Sequence, residues 1–234
     1  MDLRISGMRA ALETMPRSLL SRKDDDRDFL RVQTLLWARY GDADHASQVF
    51  ASRGDRNAVN LLGKAMLASR QHRVDDAEKF FAKALALAPK DALILREAGI
   101  FEYEKGDMKK ARRCLEQALR IAPRDYYGRF FYARLLDDSG DSAGAQQAYR
   151  DVLKHVPDDS EVHSYYGRSL GASHKLCEGY VHLAYSSLYA GSPQRAESWL
   201  NRAKKEAKTE AETDLIKAYE KKAKERAKIM KNAQ

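Results

Sequence analysis

His174, Cys177, Glu178 and His182 are of the types that bind zinc, and their spacing of i, i+3, i+4 and i+8 would place them on one side of a helix. One helix does not close a four-ligand shell, and no further group to orient the imidazoles is evident. The run therefore reads as a groove-side or solvated stripe of a packing helix, with no metal expected. The chain offers no other reactive set: HExxH, a glycine-rich phosphate loop, GxSxG and a Cys/His nucleophile pair are all absent. Asp137–Asp138 and Asp158–Asp159 fall where aspartate caps helices and bends chains. Cys114 and Cys177 show no CxxC or metal-finger spacing, which argues against a disulfide framework or a structural zinc. Catalysis by this chain alone is not expected, nor is any cofactor in it.

What must position such residues is helical. The 234 residues contain only 5 prolines and 13 glycines, and Ala, Leu, Lys, Arg and Glu are abundant. Strand-like alternation and runs of 18 apolar residues are missing, so no transmembrane segment is expected. The net charge is +8, of which residues 201–234 contribute +5, with eleven Lys/Arg against six Asp/Glu. Lys and Glu interleave there as on a solvated helix face, without an aromatic-rich basic patch, so nucleic acid is not an expected partner. The start, MDLRISGMRAALE, has no continuous apolar core or cleavage site and reads as a short helix, not a secretory leader.

Self-comparison gives the organisation. The segments DDAEKFFAKALALAP, MKKARRCLEQALRIAP and SAGAQQAYRDVLKHVP align with Ala77, Ala111 and Ala145 at a step of 34, and Pro89, Pro123 and Pro157 at the same step. Phe81, Leu115 and Tyr149 follow in register, then Ala84, Ala118 and Val152. Small residues let two antiparallel helices approach closely, the bulky ones fill the gap to the next hairpin, and proline ends the second helix. Leu95, Ala98 and Gly99, then Tyr132 and Ala133, form the matching seam on the first helices, while Lys64 departs from it.

This pattern resembles the tetratricopeptide repeat, and the resemblance implies an all-α superhelix of helical hairpins closed by a C-terminal capping helix. The expected boundaries are a helix and linker at 1–25 and a solenoid at 26–210. Its hairpins are about 27–56, 58–91, 92–125 and 126–159, with an extra helix at 160–173 and a hairpin at 175–209; the capping helix spans 211–234. The extra helix follows from Ala196, which lies 51 residues after Ala145, a repeat and a half.

Such solenoids bind a protein or peptide in the concavity lined by their first helices. Projected here, the partner groove comprises Val59, Leu62, Met66, Arg70, Arg96, Ile100, Tyr103, Tyr127, Phe130, Arg134, Tyr185 and Tyr189. Leu62 and Met66 stand where chaperone-tail clamps carry Lys and Asn, which disfavours that ligand.

RISGMRAALE, DFLRVQTLLWARYGD and the final HKLCEGYVHLAYSSLYAG…AESWLNRAKKEA resemble the C-terminal repeat region of bacterial BepA-like, beta-barrel assembly-enhancing HExxH zinc metallopeptidases. The resemblance implies the non-catalytic arm of a periplasmic protease, with zinc only in a peptidase domain outside these residues. It implies as partners that peptidase domain, outer-membrane protein substrates and their assembly machinery. The alternative is a free-standing cytoplasmic scaffold or co-chaperone that binds a peptide or partner helix.

Overall fold

The computed structural model describes residues 26–232, with side-chain surroundings for 28–229. The expected helix and linker at 1–25 lie outside the described residues. Helix starts recur with one chemistry at one step. The side chains of Asn57, Asp91, Asp125 and Asp159, each 34 residues after the last, accept N–H groups from the first turn of the helix that follows. Those helices are α3 (Ala58–Arg70), α5 (Ala92–Lys105), α7 (Tyr126–Asp138) and α9 (Ser160–Ala172). Each leads across a tight turn to a second helix: α4 (Val74–Leu87), α6 (Met108–Ile121), α8 (Ser142–Leu153) and α10 (Leu176–Tyr189). Before them stand α1 (Asp26–Tyr40) and α2 (Ala43–Ser52), and after them α11 (Pro193–Glu206) and α12 (Glu210–Asn232). The described residues are all-α, as expected, with no strand among them.

The tight turn is also repeated. His72, Gly106, Gly140 and His174, again 34 apart, have φ of 58°, 94°, 86° and 60°. In each turn the following residue donates its N–H back to a carbonyl five residues earlier: Arg73 to Ala68, Asp107 to Glu102, Asp141 to Leu136 and Lys175 to Leu170. This closes the first helix and aims the chain into the second. Glycine adopts the left-handed region freely, whereas histidine is strained there.

The chain divides into two compact units, residues 1–87 and 88–234. In the first, α1 and α2 pack on α3, and α3 pairs with α4. Phe50 lies over Gly63 so closely that a Cβ there would meet its ring at 2.6 Å. The out-of-pattern Lys64 keeps its charge at the edge, pairing with Asp55 at 2.5 Å with its ammonium 5.8 Å from the Phe80 ring centre. In the second unit α5–α6, α7–α8 and α9–α10 are hairpins stacked in sequence. Ala111, Ala145, Leu115, Tyr149 and Val152 are buried in their seams, as the repeat requires. First helices α5, α7 and α9 touch one another in succession, whereas α6, α8 and α10 do not, so this stack curves with its first helices inside.

The segment expected as an extra helix takes a different place. α9 begins after Asp159 and α10 after residue 175, both on the 34-residue step, and their closest approach is Gly167 against Gly179. A Cβ on either glycine would lie 2.8 Å from the other's carbonyl oxygen, so the pair is a hairpin in the common register. Gly179 stands one repeat after Ala145, and Ala196 lies on α11, which packs on α10 as fully as α9 does across a further left-handed turn at Gly191, where Ser192 donates its N–H to Ser187, so α10 is shared by two hairpins. The last helix, α12, has its start fixed by Thr209 Oγ1 accepting from the Glu212 N–H while Glu212 accepts from the Thr209 N–H. α12 leans on α10 as well as on α11, covering the seam that a capping helix must cover.

The turn geometry predicts opposite signs for two substitutions. Gly140→Ala meets no neighbour within 4 Å, so its cost is the left-handed backbone alone, about 1–2 kcal/mol. His174→Gly should stabilise by about 1 kcal/mol for the same reason. Urea denaturation followed by circular dichroism measures both, and equal effects would contradict the shared turn.

Candidate functional site

The inner face of the second unit centres on Arg134. On α7, Tyr127, Phe130, Phe131 and Arg134 fall at i, i+3, i+4 and i+7, so a single helical stripe turns toward α5 and α9. The Arg134 guanidinium carbon lies 4.4 Å from the ring centre of Tyr165 on α9, 4.9 Å from Phe131, 5.1 Å from Tyr103 on α5 and 5.8 Å from Phe130. Such contacts favour a cation by about 0.5–2 kcal/mol each. Among the described residues no carboxylate comes within ion-pair distance of Arg134, and its Nε is buried without a hydrogen-bond partner. Arg168, one repeat later, also lies over Tyr165 at 5.4 Å. It donates to Ser164 Oγ and likewise has no carboxylate partner among the described residues.

Arg96 shows the contrasting case. It is held by Glu97 at 2.6 Å and by Asp125, the cap of α7, at 3.1 Å, and it stacks 5.3 Å from the Tyr127 ring centre. Its charge is neutralised internally. Tyr103 donates to Asp138; burial and that bond push its hydroxyl up to about 12, so it stays protonated and donating.

The expected groove residues divide accordingly. Arg96, Tyr103, Tyr127 and Arg134 meet on this face, and Tyr127 is 41 % exposed. Leu62, Met66, Ile100 and Phe130 are only 0 %, 9 %, 6 % and 4 % exposed, which makes them core residues that hold the helices together and leaves a partner little to touch. Val59 and Arg70 belong to the first unit, where Val59 is half-buried and the exposed Arg70 donates to the Gly41 carbonyl at 2.9 Å. Tyr185 and Tyr189 sit together, but around a histidine pair rather than on the Arg134 face. Tyr165 and Arg168 are site residues outside the sequence projection, because their helix reads there as an insertion.

The zinc-type run does not converge. His174 is the left-handed turn residue, Cys177 is buried among Val181, Ala184 and Ala196, and His182 faces α9. Among the described residues no group of three or more His, Cys, Asp or Glu is placed to hold a metal ion. His182 instead meets the buried His163, Nδ1 to Nδ1 at 2.9 Å, while His163 Nε2 lies 2.9 Å from the Pro157 carbonyl. A carbonyl only accepts, so His163 Nε2 carries hydrogen and its Nδ1 is bare. His182 Nδ1 must then donate, which leaves Nε2 of His182 as a bare acceptor. Burial lowers both pKa values, that of His182 to about 3, with His163 adding to the effect.

Comparison with known proteins agrees with this architecture. Residues 56–124 and 102–168 each match a tetratricopeptide-repeat family model. Residues 56–168 carry tetratricopeptide repeats. The repeat region is 32 % identical over 119 residues to anaphase-promoting complex subunit 6 of Arabidopsis thaliana, which is 50 % of this chain but 19 % of that protein. The chain thus spans about a fifth of the length of that relative. Among solved structures, the anaphase-promoting complex hetero-tetramer Cut9–Hcn1 aligns with TM-score 0.63 and 19 % identity over 73 % of this chain and 35 % of that one. Pseudomonas aeruginosa pilF aligns with TM-score 0.60 and 17 % identity over 83 % and 98 %. At those identities the structures bear on the repeat fold alone. No helix among the described residues is long and apolar enough to cross a membrane.

The histidine pair makes the repeat stack acid-sensitive. Both folded pKa values lie below the unfolded value, so the unfolded chain binds more protons once pH falls below about 6.5. Stability is full above that pH and declines below it, by up to about 1.4 kcal/mol per pH unit for each histidine. Urea midpoints between pH 7 and 5 should show this slope in the native chain and a shallower one in His182→Phe.

Proposed function

We propose that this chain is a non-catalytic interaction module that holds an extended segment of a partner protein along α5, α7 and α9, with a carboxylate of that segment at Arg134. The observation that carries this reading is a guanidinium set among four aromatic rings with no carboxylate within ion-pair distance among the described residues, beside Arg168, which shares the Tyr165 ring and likewise has no carboxylate partner there. Arginine and tyrosine combine large contact area with polar tips, as binding hot spots do. The exposed Tyr127 ring, edge-on to Phe131 at 5.1 Å, supplies an apolar contact beside the charge. Two of the similar proteins, anaphase-promoting complex subunit 6 and the Cut9–Hcn1 hetero-tetramer, are parts of a multi-subunit assembly, which supports an interaction role.

Selection of displayed random peptides on the whole chain tests this. The native protein should enrich peptides with Asp or Glu beside an apolar residue. Arg134→Ala should weaken those peptides at least about tenfold, in line with loss of a partly buried charge pair. Equal binding by the Tyr127→Ala, Arg134→Ala double variant, with unchanged circular dichroism, would reject this face as the site.

A finer reading rests on the resemblance of the two ends and the connecting hairpin to BepA-like metallopeptidases. The chain would then be the arm of a periplasmic zinc protease, recruiting or restraining outer-membrane protein substrates and their assembly machinery, with zinc in the peptidase domain. Reading the gene upstream of residue 1 decides between that and a free-standing scaffold: an in-frame HExxH domain supports the arm, and its absence rejects it.

A further inference from the structure

A second recess lies apart from the Arg134 face, beneath α12 where α9 begins and α10 ends. This pocket, of about 490 Å³, is lined by His163, His182, Tyr185 and Tyr189 on one side and by Lys221 and Glu225 of α12 on the other. Its size is that of a site for a small molecule. The rings are ordered: His163 stacks on Tyr185 with centres 4.9 Å apart at 24°, and Tyr185 on Tyr189 at 5.9 Å and 17°. Tyr185 is further braced edge-on by Tyr219 of α12, at 4.9 Å and 78°.

Two features define what fits. The hydrogen-bond chain from the Pro157 carbonyl through His163 to His182 ends at Nε2 of His182, a neutral nitrogen with a lone pair. That atom has no protein partner among the described residues and is not among the enclosed, unsatisfied polar atoms, so a ligand in the pocket can reach it. The rim carries mixed charge: Lys222 is engaged by Asp158 at 3.8 Å, Lys221 and Glu225 both line the pocket, and the Arg226 guanidinium lies 5.2 Å from the Tyr189 ring centre. A mixed rim selects neither an anion nor a cation.

We propose that this pocket binds a small neutral aromatic molecule bearing one hydrogen-bond donor, a phenol or an indole, whose O–H or N–H is given to His182 Nε2 while its ring lies along the Tyr185–Tyr189 stack. A matched acceptor discriminates against the ring that lacks the donor, because the nitrogen is then desolvated without a partner. The site is independent of the peptide face.

The test is a titration of the whole, ¹⁵N-histidine-labelled chain at pH 7.5 with p-cresol, 3-methylindole, toluene and 4-methylbenzoate, followed by NMR. p-Cresol and 3-methylindole should saturate, move the His182 Nε2 resonance, and bind at least about fivefold more tightly than toluene. In His182→Phe, which keeps a ring of similar size, p-cresol should lose its advantage over toluene. Should that variant not fold, the comparison of p-cresol with toluene on the native chain decides alone. The proposal is overturned by non-saturating titrations, by toluene matching p-cresol, by a p-cresol preference that survives in His182→Phe, or by 4-methylbenzoate binding more tightly than p-cresol.

Discussion

The constraint on which the molecule depends is how closely two helices of a hairpin can approach. At Gly99 against Leu115 and at Gly167 against Gly179 there is no room for another methyl group, and buried Ala111 and Ala145 serve the same purpose elsewhere. Once helices cross that closely, the turn between them must be short and left-handed, and the next helix must start at once, which is why cap, turn and seam all recur at one step. A hairpin built this way hides only one of its sides. It needs the following hairpin for the other, so contacts stay between neighbours in sequence.

That arrangement decides the fate of charges on the inner face. Arg96 lies next to the start of α7, where the cap aspartate Asp125 is already placed for backbone reasons, and it becomes a buried ion pair. Arg134, two turns along α7, has only rings around it. Arg96 has carboxylates from its own helix, Glu97, and from the next helix start, Asp125, whereas Arg134 has neither within ion-pair distance among the described residues and keeps its charge available.

Much of this is legible in the residue order. Ala77, Ala111, Ala145 and the three prolines fix the period, the hairpins and the all-α class, because small residues and helix stops have few other uses at such spacing. The later hairpin is harder to see. Gly179 and Gly191 replace the alanine and proline of the pattern, and both are residues that weak matching discards. The caps carry the missing signal: Asn57, Asp91, Asp125 and Asp159 continue the step through that region, and so do His72, Gly106, Gly140 and His174. Of the groove, the stripe through Tyr127 and Arg134 follows from helical periodicity. Whether Ile100 or Phe130 faces a partner or a neighbouring helix does not, since the width of the seam depends on residues a full repeat away. The meeting of His163 with His182 depends on the same distant register and has no local trace.

The left-handed turns also set how this molecule can change in length. Because each of the four joins the same backbone shape to the same backbone shape, residues between any two of them form an interchangeable module, and excising or duplicating 34 residues there would require no new loop. The number of aromatic rings offered on the inner surface is then a matter of how many modules are counted, and ligand length becomes an integer property of the chain.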